Sequence, residues 1–166
     1  MWRAFRTFRL SPLHVVDHVL RSAVDRDQLL QFMRAQKWAV EASVSDSNAP
    51  QAAVIGVAVT DAFELVFDTM GDTRKAKNLR KNPRIAFVIG WDEGKTVQYE
   101  GVADEPQGDE LARIKEAYFA KFPDGVDRER WEGIAYFRAR PTWIRVSDFT
   151  KDAPEIVEID PSTWTR

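Results

Sequence analysis

The stretch ELVFDTMGDTRKAKNLRKNPR, Glu64 to Arg84, decides how this chain is read. It opens as an apolar strand, Leu65-Val66-Phe67, and passes through a polar turn, Asp68-Thr69-Met70-Gly71-Asp72. It continues as a short basic helix, Thr73 to Lys81, stopped by Asn82-Pro83. Thr73 is a good N-cap. Arg74 and Lys75 then fall in the first turn, where free amide groups and the macrodipole already supply positive potential. Cations there are unfavourable unless an anion joins them, and a phosphate would resolve the conflict. The plainer alternative is that both side chains extend into water.

Composition bounds what surrounds this unit. A chain of 166 residues suggests one domain with a real core. Its net charge of −2 gives no global field for nucleic acid or an anionic membrane. Residues 73–84 are strongly basic, whereas 92–110 are mostly acidic. The absence of cysteine excludes disulfides, thiol catalysis and zinc–thiolate sites. His14 and His18 have helical spacing, but no carboxylate–histidine set downstream supports a metal, so none is expected. No apolar run reaches membrane-spanning length, and a cytoplasmic protein is expected.

Residues 1–24 read as an N-terminal arm, basic and aromatic residues alternating at Trp2, Arg3, Phe5, Arg6, Phe8 and Arg9. It suits a partner subunit or a poorly ordered end. Asp25 can cap the helix DRDQLLQFMRAQ, with Leu29, Phe32 and Met33 on one face. Trp38 to Val44 alternates as a strand, with Trp38, Val40 and Ala42 on one face and Ala39, Glu41 and Ser43 on the other. After a turn at Ser45 to Pro50 comes an apolar strand, Gln51 to Val59, in which Gly56 marks a bulge or close approach. Beyond the basic helix follow strands Ile85 to Trp91 and Thr96 to Asp104, joined by the hairpin turn Asp92 to Lys95. A helix spans Gln107 to Lys121, residues 126–133 read as irregular, and a last strand begins near Ile134 with an interruption at Pro141. Residues 150–166 read as a loosely packed tail, tied down by Ile156, Val157 and Ile159.

Trp38, Trp91 and Trp143 suit core or interface. Arg138 and Arg140 share a face, exposed or salt-bridged across a dimer, and the acidic run Asp104 to Glu110 reads as solvated helix-start charge. Short connections between strands favour antiparallel neighbours, and there is no glycine fingerprint for a nucleotide fold. The expected fold class is mainly β with helices (α+β): a six-stranded antiparallel split β-barrel of Greek-key type, whose closure removes exposed edges.

Val66-Phe67-Asp68-Thr69, then Thr73-Arg74-Lys75, Asn78-Leu79 and Asn82-Pro83-Arg84 before an apolar strand resemble the pyridoxamine 5′-phosphate oxidase-like, FMN-binding split-barrel family. Thr96-Val97-Gln98-Tyr99-Glu100-Gly101 is similar to that family's next strand, and Phe137 with Pro141 to Arg145 to its closing strand. The resemblance covers residues 25–149, the expected FMN-binding domain. It implies a homodimer with FMN at the subunit interface. Arg74 and Lys75, after Thr73, fall on the basic pair that holds the FMN phosphate. Phe67, Asp68 and Thr69 fall on the segment along the flavin and ribityl chain. Val54 and Ile55 fall on the strand whose backbone approaches the ring. Thr96 falls where the oxidases place a glutamine near the ring from the second subunit.

The departures bear on substrate. The oxidases carry an arginine and a lysine on the second strand, where this chain has Ala52-Ala53-Val54-Ile55-Gly56-Val57. They also hold substrate with an Arg-x-His segment, and no histidine follows His18 here. A family tryptophan that touches flavin falls at Ser147. The expected function is an FMN-binding flavoprotein, an FMN-dependent oxidoreductase acting on a small molecule not named by the sequence. The alternatives are a non-enzymatic FMN-binding or storage protein and a deazaflavin-dependent reductase. No side chain stands out as a catalytic acid or base.

Overall fold

The computed structural model describes residues 25–164. The expectations for the arm, with His14 and His18, lie outside the described residues. Helix α1 (Arg26–Ala35) starts at Asp25, whose carboxylate accepts hydrogen bonds from the amides of Asp27 and Gln28. It buries Leu29 and Met33. Strands β1 (Trp38–Val44), β2 (Pro50–Gly56), β3 (Ala58–Val59) and β4 (Leu65–Met70) precede α2 (Arg74–Lys81). Then come β5 (Arg84–Ile89), β6 (Lys95–Asp104), α3 (Gly108–Lys121), the single turn α4 (Gly125–Arg128), β7 (Ile134–Asp148) and β8 (Glu155–Ile159).

All strand pairs are antiparallel, in the order β2-β1-β5-β6-β7-β4-β3, with β8 added alongside β7. Strands β2 and β3 stand at opposite ends of that order, yet only Val57 separates them in the chain. The sheet therefore curls until its two ends meet at one kinked segment, giving a split barrel. The kink is close-packed: a Cβ on Gly56 would lie 2.9 Å from the Phe122 ring. The long strands β6 and β7 bend where Gly101 faces Pro141, the point at which their register shifts. A Cβ on Gly101 would lie 2.4 Å from the Arg140 carbonyl oxygen, so only glycine fits that bend.

The barrel interior is aromatic. Phe67 stacks on Phe137 with centroids 5.5 Å apart, and Phe87 meets Phe67 and Tyr99 edge-on. The buried Tyr99 hydroxyl donates to the carbonyl of Ala139 at 2.7 Å, so its polar atom is satisfied inside the core. Each such side chain contributes about 1.5–3 kcal/mol by leaving water. A second cluster lies outside the barrel, where Ile114 and Tyr118 of α3, with Phe122 just after it, cover Ala58, Val66 and Tyr136.

The sheet has eight strands, not six. The expected strand 51–59 breaks at Val57 because its two pieces pair with different neighbours, β1 and β4. The expected tail contributes β8, since Glu155 to Ile159 find an open edge along Ile144 to Asp148. Residues 126–133, read as irregular, include part of α4. Asp68 and Thr69 lie within β4 rather than in a turn, because the β4–β7 ladder runs on to Met70. Trp38 and Trp91 are not core residues, being 49% and 45% exposed in the protomer. Arg138 is buried, and Asp104 and Glu110 are its partners rather than free solvated charge.

Candidate anion and cofactor site

Helix α2 is short, so its packing and caps hold it rather than its length. Ala76 and Leu79 enter the core. Thr73 is extended at φ −64°, ψ 159°, and its hydroxyl oxygen accepts from the Ala76 amide at 3.4 Å. The same hydroxyl contacts Thr69 Oγ1 at 3.1 Å, so β4 and the helix start are locked together. Arg80 and Lys81 occupy the last turn, where cations suit the dipole, and they pair with Glu105 and Asp46.

The first turn is different. It contains no acid. Arg74 is exposed and Lys75 half-buried, and neither has a carboxylate at ion-pair distance among the described residues. Arg74 borders a cleft of about 370 Å³ together with Ser45, Gln51 and Asn78. Asn78 is buried and donates to Gln51 Oε1 at 3.1 Å and Ser43 Oγ at 3.3 Å. A larger cleft, about 760 Å³, lies between Lys77 and Arg80 of α2 and Lys115 of α3. Arg80 and Lys115 there are already paired, with Glu105 and Glu129. The smaller cleft is the one that Arg74 lines, together with Asp46, Lys77 and Lys81; Lys75 is not among its lining residues.

Sequence reasoning missed a charged neighbour of this helix start. Glu41 is 1% exposed, and its Oε1 has no hydrogen-bond partner. Burial raises its pKa, and Ser43 and Lys75 oppose that rise. Alternation alone put Glu41 on one face with Ala39 and Ser43. The signal available was that this face is the one α2 covers, through Asn78 and Ser43.

The expected cofactor residues divide among three places. Thr69, Thr73, Arg74 and Lys75 come together at the start of α2. Ile55 and Phe67 are core residues, so only their backbone can approach a ligand. Val54 points outward from β2 and is 63% exposed. Asp68 is turned to the α3 side, where Tyr118 and Arg128 hold it. Thr96, on β6, pairs with Ser147 of β7, and two strands lie between β6 and β1's partner β2. At ordinary strand spacing that is roughly 14 Å, so one protomer does not bring Val54 and Thr96 together.

Fold and site thus define a split-barrel protein in which helix α2 begins with two cations and no acid in its first turn. The sequence matches the pyridoxamine 5′-phosphate oxidase family over residues 26–148, and the chain belongs to that family. A curated relative, the pyridoxine/pyridoxamine 5′-phosphate oxidase of Rubrobacter xylanophilus, is 29% identical over 119 residues, covering 64% of this chain and 53% of the relative. The chain therefore spans about half the length of that relative. Two solved structures share the fold. A heme binding protein from Mycobacterium smegmatis superposes with a TM-score of 0.70 at 16% identity, over 82% of this chain and 58% of that one. A pyridoxamine 5′-phosphate oxidase-related, FMN binding protein from Nostoc punctiforme does so with a TM-score of 0.56 at 11% identity, over 81% and 90%. No helix among the described residues is long and apolar enough to cross a membrane.

Proposed function

We propose that the protein is an FMN-binding flavoprotein and an FMN-dependent oxidoreductase. The observation that carries this is the capped start of α2, where Arg74 and Lys75 stand beside free amides in a first turn that contains no acid. That donor set fits a phosphate monoester. Thr69 and Thr73 supply hydroxyls beside it, and the backbone of Val54 and Ile55 supplies a strand along which a flat ring can lie. When bound, FMN supplies hydride and electron transfer, and the chain's part is to hold and orient it. Arg74 and Lys75 neutralise its phosphate. A second copy of the chain completes the site and brings Thr96, which one protomer leaves distant from Val54. The outward face that would meet the copy carries Trp38 and Val54, both more exposed than large apolar side chains usually are.

A haem would need an axial ligand, and among the described residues, which hold neither histidine nor cysteine, that leaves tyrosine and methionine. The test is the absorbance spectrum of the purified protein, with the bound cofactor extracted and identified. Flavin bands and released FMN support the reading. A haem Soret band, or an extracted deazaflavin, would replace it. Steady-state oxidation of a reduced nicotinamide by the FMN-loaded protein then separates an enzyme from a storage protein.

A further inference from the structure

We propose that Arg145 holds the carboxylate of a small-molecule substrate beside the flavin, so that the site takes compounds bearing one negative charge. The inference rests on the flavin reading above, with Thr96 as the residue that the second copy brings to the ring. Cross-strand partners set Val54, Val40, Val88, Gln98, Arg145 and Glu158 in one row across six strands. Partners in register share a face of the sheet. The row therefore runs along the outward face, starting from the strand proposed to lie against the ring. Gln98 is directly opposite Arg145, and Thr96 is directly opposite Ser147, two residues further on. Thr96 and Arg145 are thus diagonal neighbours, about 7–8 Å apart and within reach of a long side chain. A ligand that touches Thr96 is within reach of Arg145.

Arg145 carries a charge without a counter-ion. No carboxylate of the described residues lies at ion-pair distance from it, although Glu158 stands directly across on β8. Its Nε is buried and meets no acceptor. A donor withdrawn from water is costly until an acceptor reaches it. A carboxylate suits this position, because the planar guanidinium fork takes both of its oxygens at once. The surroundings select for a single charge. Gln98 opposite is neutral, and Trp143, on the same face of β7, offers an apolar wall. Glu100 and Glu158, both exposed on this face, repel a second negative charge. A phosphate monoester, with nearly two charges, would keep one of them unpaired. Arg145 does not stand in for the arginine of an Arg-x-His segment, since Ser147, two residues on, falls where the family has its tryptophan.

The experiment titrates the FMN-loaded protein with three probes built on one ring: benzoate, benzamide and phenyl phosphate. Flavin difference spectra report binding beside the ring. Benzoate should perturb the flavin, and the other two should bind about tenfold or more weakly. Arg145→Gln should lose about tenfold or more in benzoate affinity while keeping FMN, and Arg145→Lys should recover part of the loss. Glu158→Gln should hold benzoate at least as tightly as the unaltered protein. Unchanged benzoate affinity in Arg145→Gln, equal binding of benzamide, or no binding of benzoate overturns the proposal. Equal losses in Glu158→Gln and Arg145→Gln would show that the two residues only brace neighbouring strands, and would also overturn it. A second readout needs no flavin. The Nε–H resonance of Arg145, assigned by its absence in Arg145→Lys, should move with benzoate and not with benzamide. If FMN fails to bind and this resonance still moves, the flavin reading fails and the carboxylate site stands. If FMN binds and benzoate moves neither signal, this proposal alone fails.

Discussion

The hydroxyl of Tyr118 donates to Asp68 Oδ1 at 2.8 Å, joining α3 to β4 across 50 positions of sequence. Arg128 completes the arrangement, its Nε 2.9 Å from Asp68 Oδ2. Both ions are largely shielded, with side chains 21% and 14% exposed. Burial and the adjacent carboxylate hold the Tyr118 hydroxyl well above its usual range, so it acts as a hydrogen-bond donor throughout the working pH range. Removing one partner of a shielded pair leaves the other charged and unpaired. Arg128→Ala should therefore lower unfolding free energy by about 2–4 kcal/mol. Arg130→Ala, at an exposed position, should change it by less than about 0.5 kcal/mol. Urea denaturation of the two variants checks this, and equal midpoints would show that Asp68 does not need its partner.

How much of this was legible beforehand depended on how local each feature is. Helix α2 was readable from Thr73, Arg74, Lys75 and Asn82-Pro83, because caps and charges act within a turn or two. The role of Asp68 was not, since Tyr118 and Arg128 lie 50 and 60 positions away. Strand β1 was found, but hydropathy favours its Trp38, Val40 and Ala42 side as the better buried one. The fold buries Ala39, Glu41 and Ser43 instead, because α2 packs over them. Strand β8 was hidden by its mixed composition, and only the free edge of β7 orders it. The divided cofactor residues follow the same logic: the segment Thr69 to Lys75 is contiguous, whereas Val54 and Thr96 belong to separate strands.

The replacement Lys75→Ala should weaken FMN about ten- to a hundredfold, since a charge-assisted hydrogen bond to phosphate contributes roughly 1.5–3 kcal/mol. Lys95→Ala is the comparison. Lys95 pairs with Asp148 at 3.2 Å, and its loss removes an ion pair away from α2. Flavin fluorescence quenching measures both affinities. Equal retention of FMN by two folded variants would remove Lys75 from the phosphate site.

Asp148 sets an acid limit on the end of β7. Hydrogen bonds from the Thr150 hydroxyl and amide lower its pKa from the ordinary 3.8 to about 2, with Lys95 adding to the effect. A depressed folded value means stabilisation that is present above the unfolded value and lost as pH falls through the folded one. The window is therefore about pH 4 down to pH 2. Asp148→Asn should flatten the stability profile across that window and leave its slope above pH 5 unchanged. Thermal unfolding midpoints at stepped pH values test it, and an unchanged acid limb in the variant would count against the assignment.

Pyridoxamine phosphate should not be turned over at a useful rate, despite the family to which the chain belongs. A phosphate monoester brings nearly two negative charges. On β2 the oxidases meet such charge with an arginine and a lysine, and here the segment is Ala52 to Val57. No histidine follows His18 to supply their Arg-x-His pair. The closing strand does contain arginines, but two are committed elsewhere. Arg138 is buried against Asp104, Glu64 and Glu110, and Arg140 donates to Asp104 at 2.7 Å. Recruiting Arg138 would strip a partner from the buried Glu64, and recruiting Arg140 would strip one from the half-exposed Asp104. Arg145 makes no ion pair among the described residues, so it is the one arginine of β7 left to meet a substrate anion. Leaving charge unpaired in a closed pocket costs several kcal/mol, and each 1.4 kcal/mol or so lost from transition-state binding is about tenfold in rate. Two missing cations therefore cost on the order of three decades. Incubation of the FMN-loaded protein with pyridoxamine phosphate in air, following pyridoxal phosphate, is the direct measurement. Turnover of about 1 per second, within the usual enzyme range, would overturn the expectation and make Arg145 the first residue to replace.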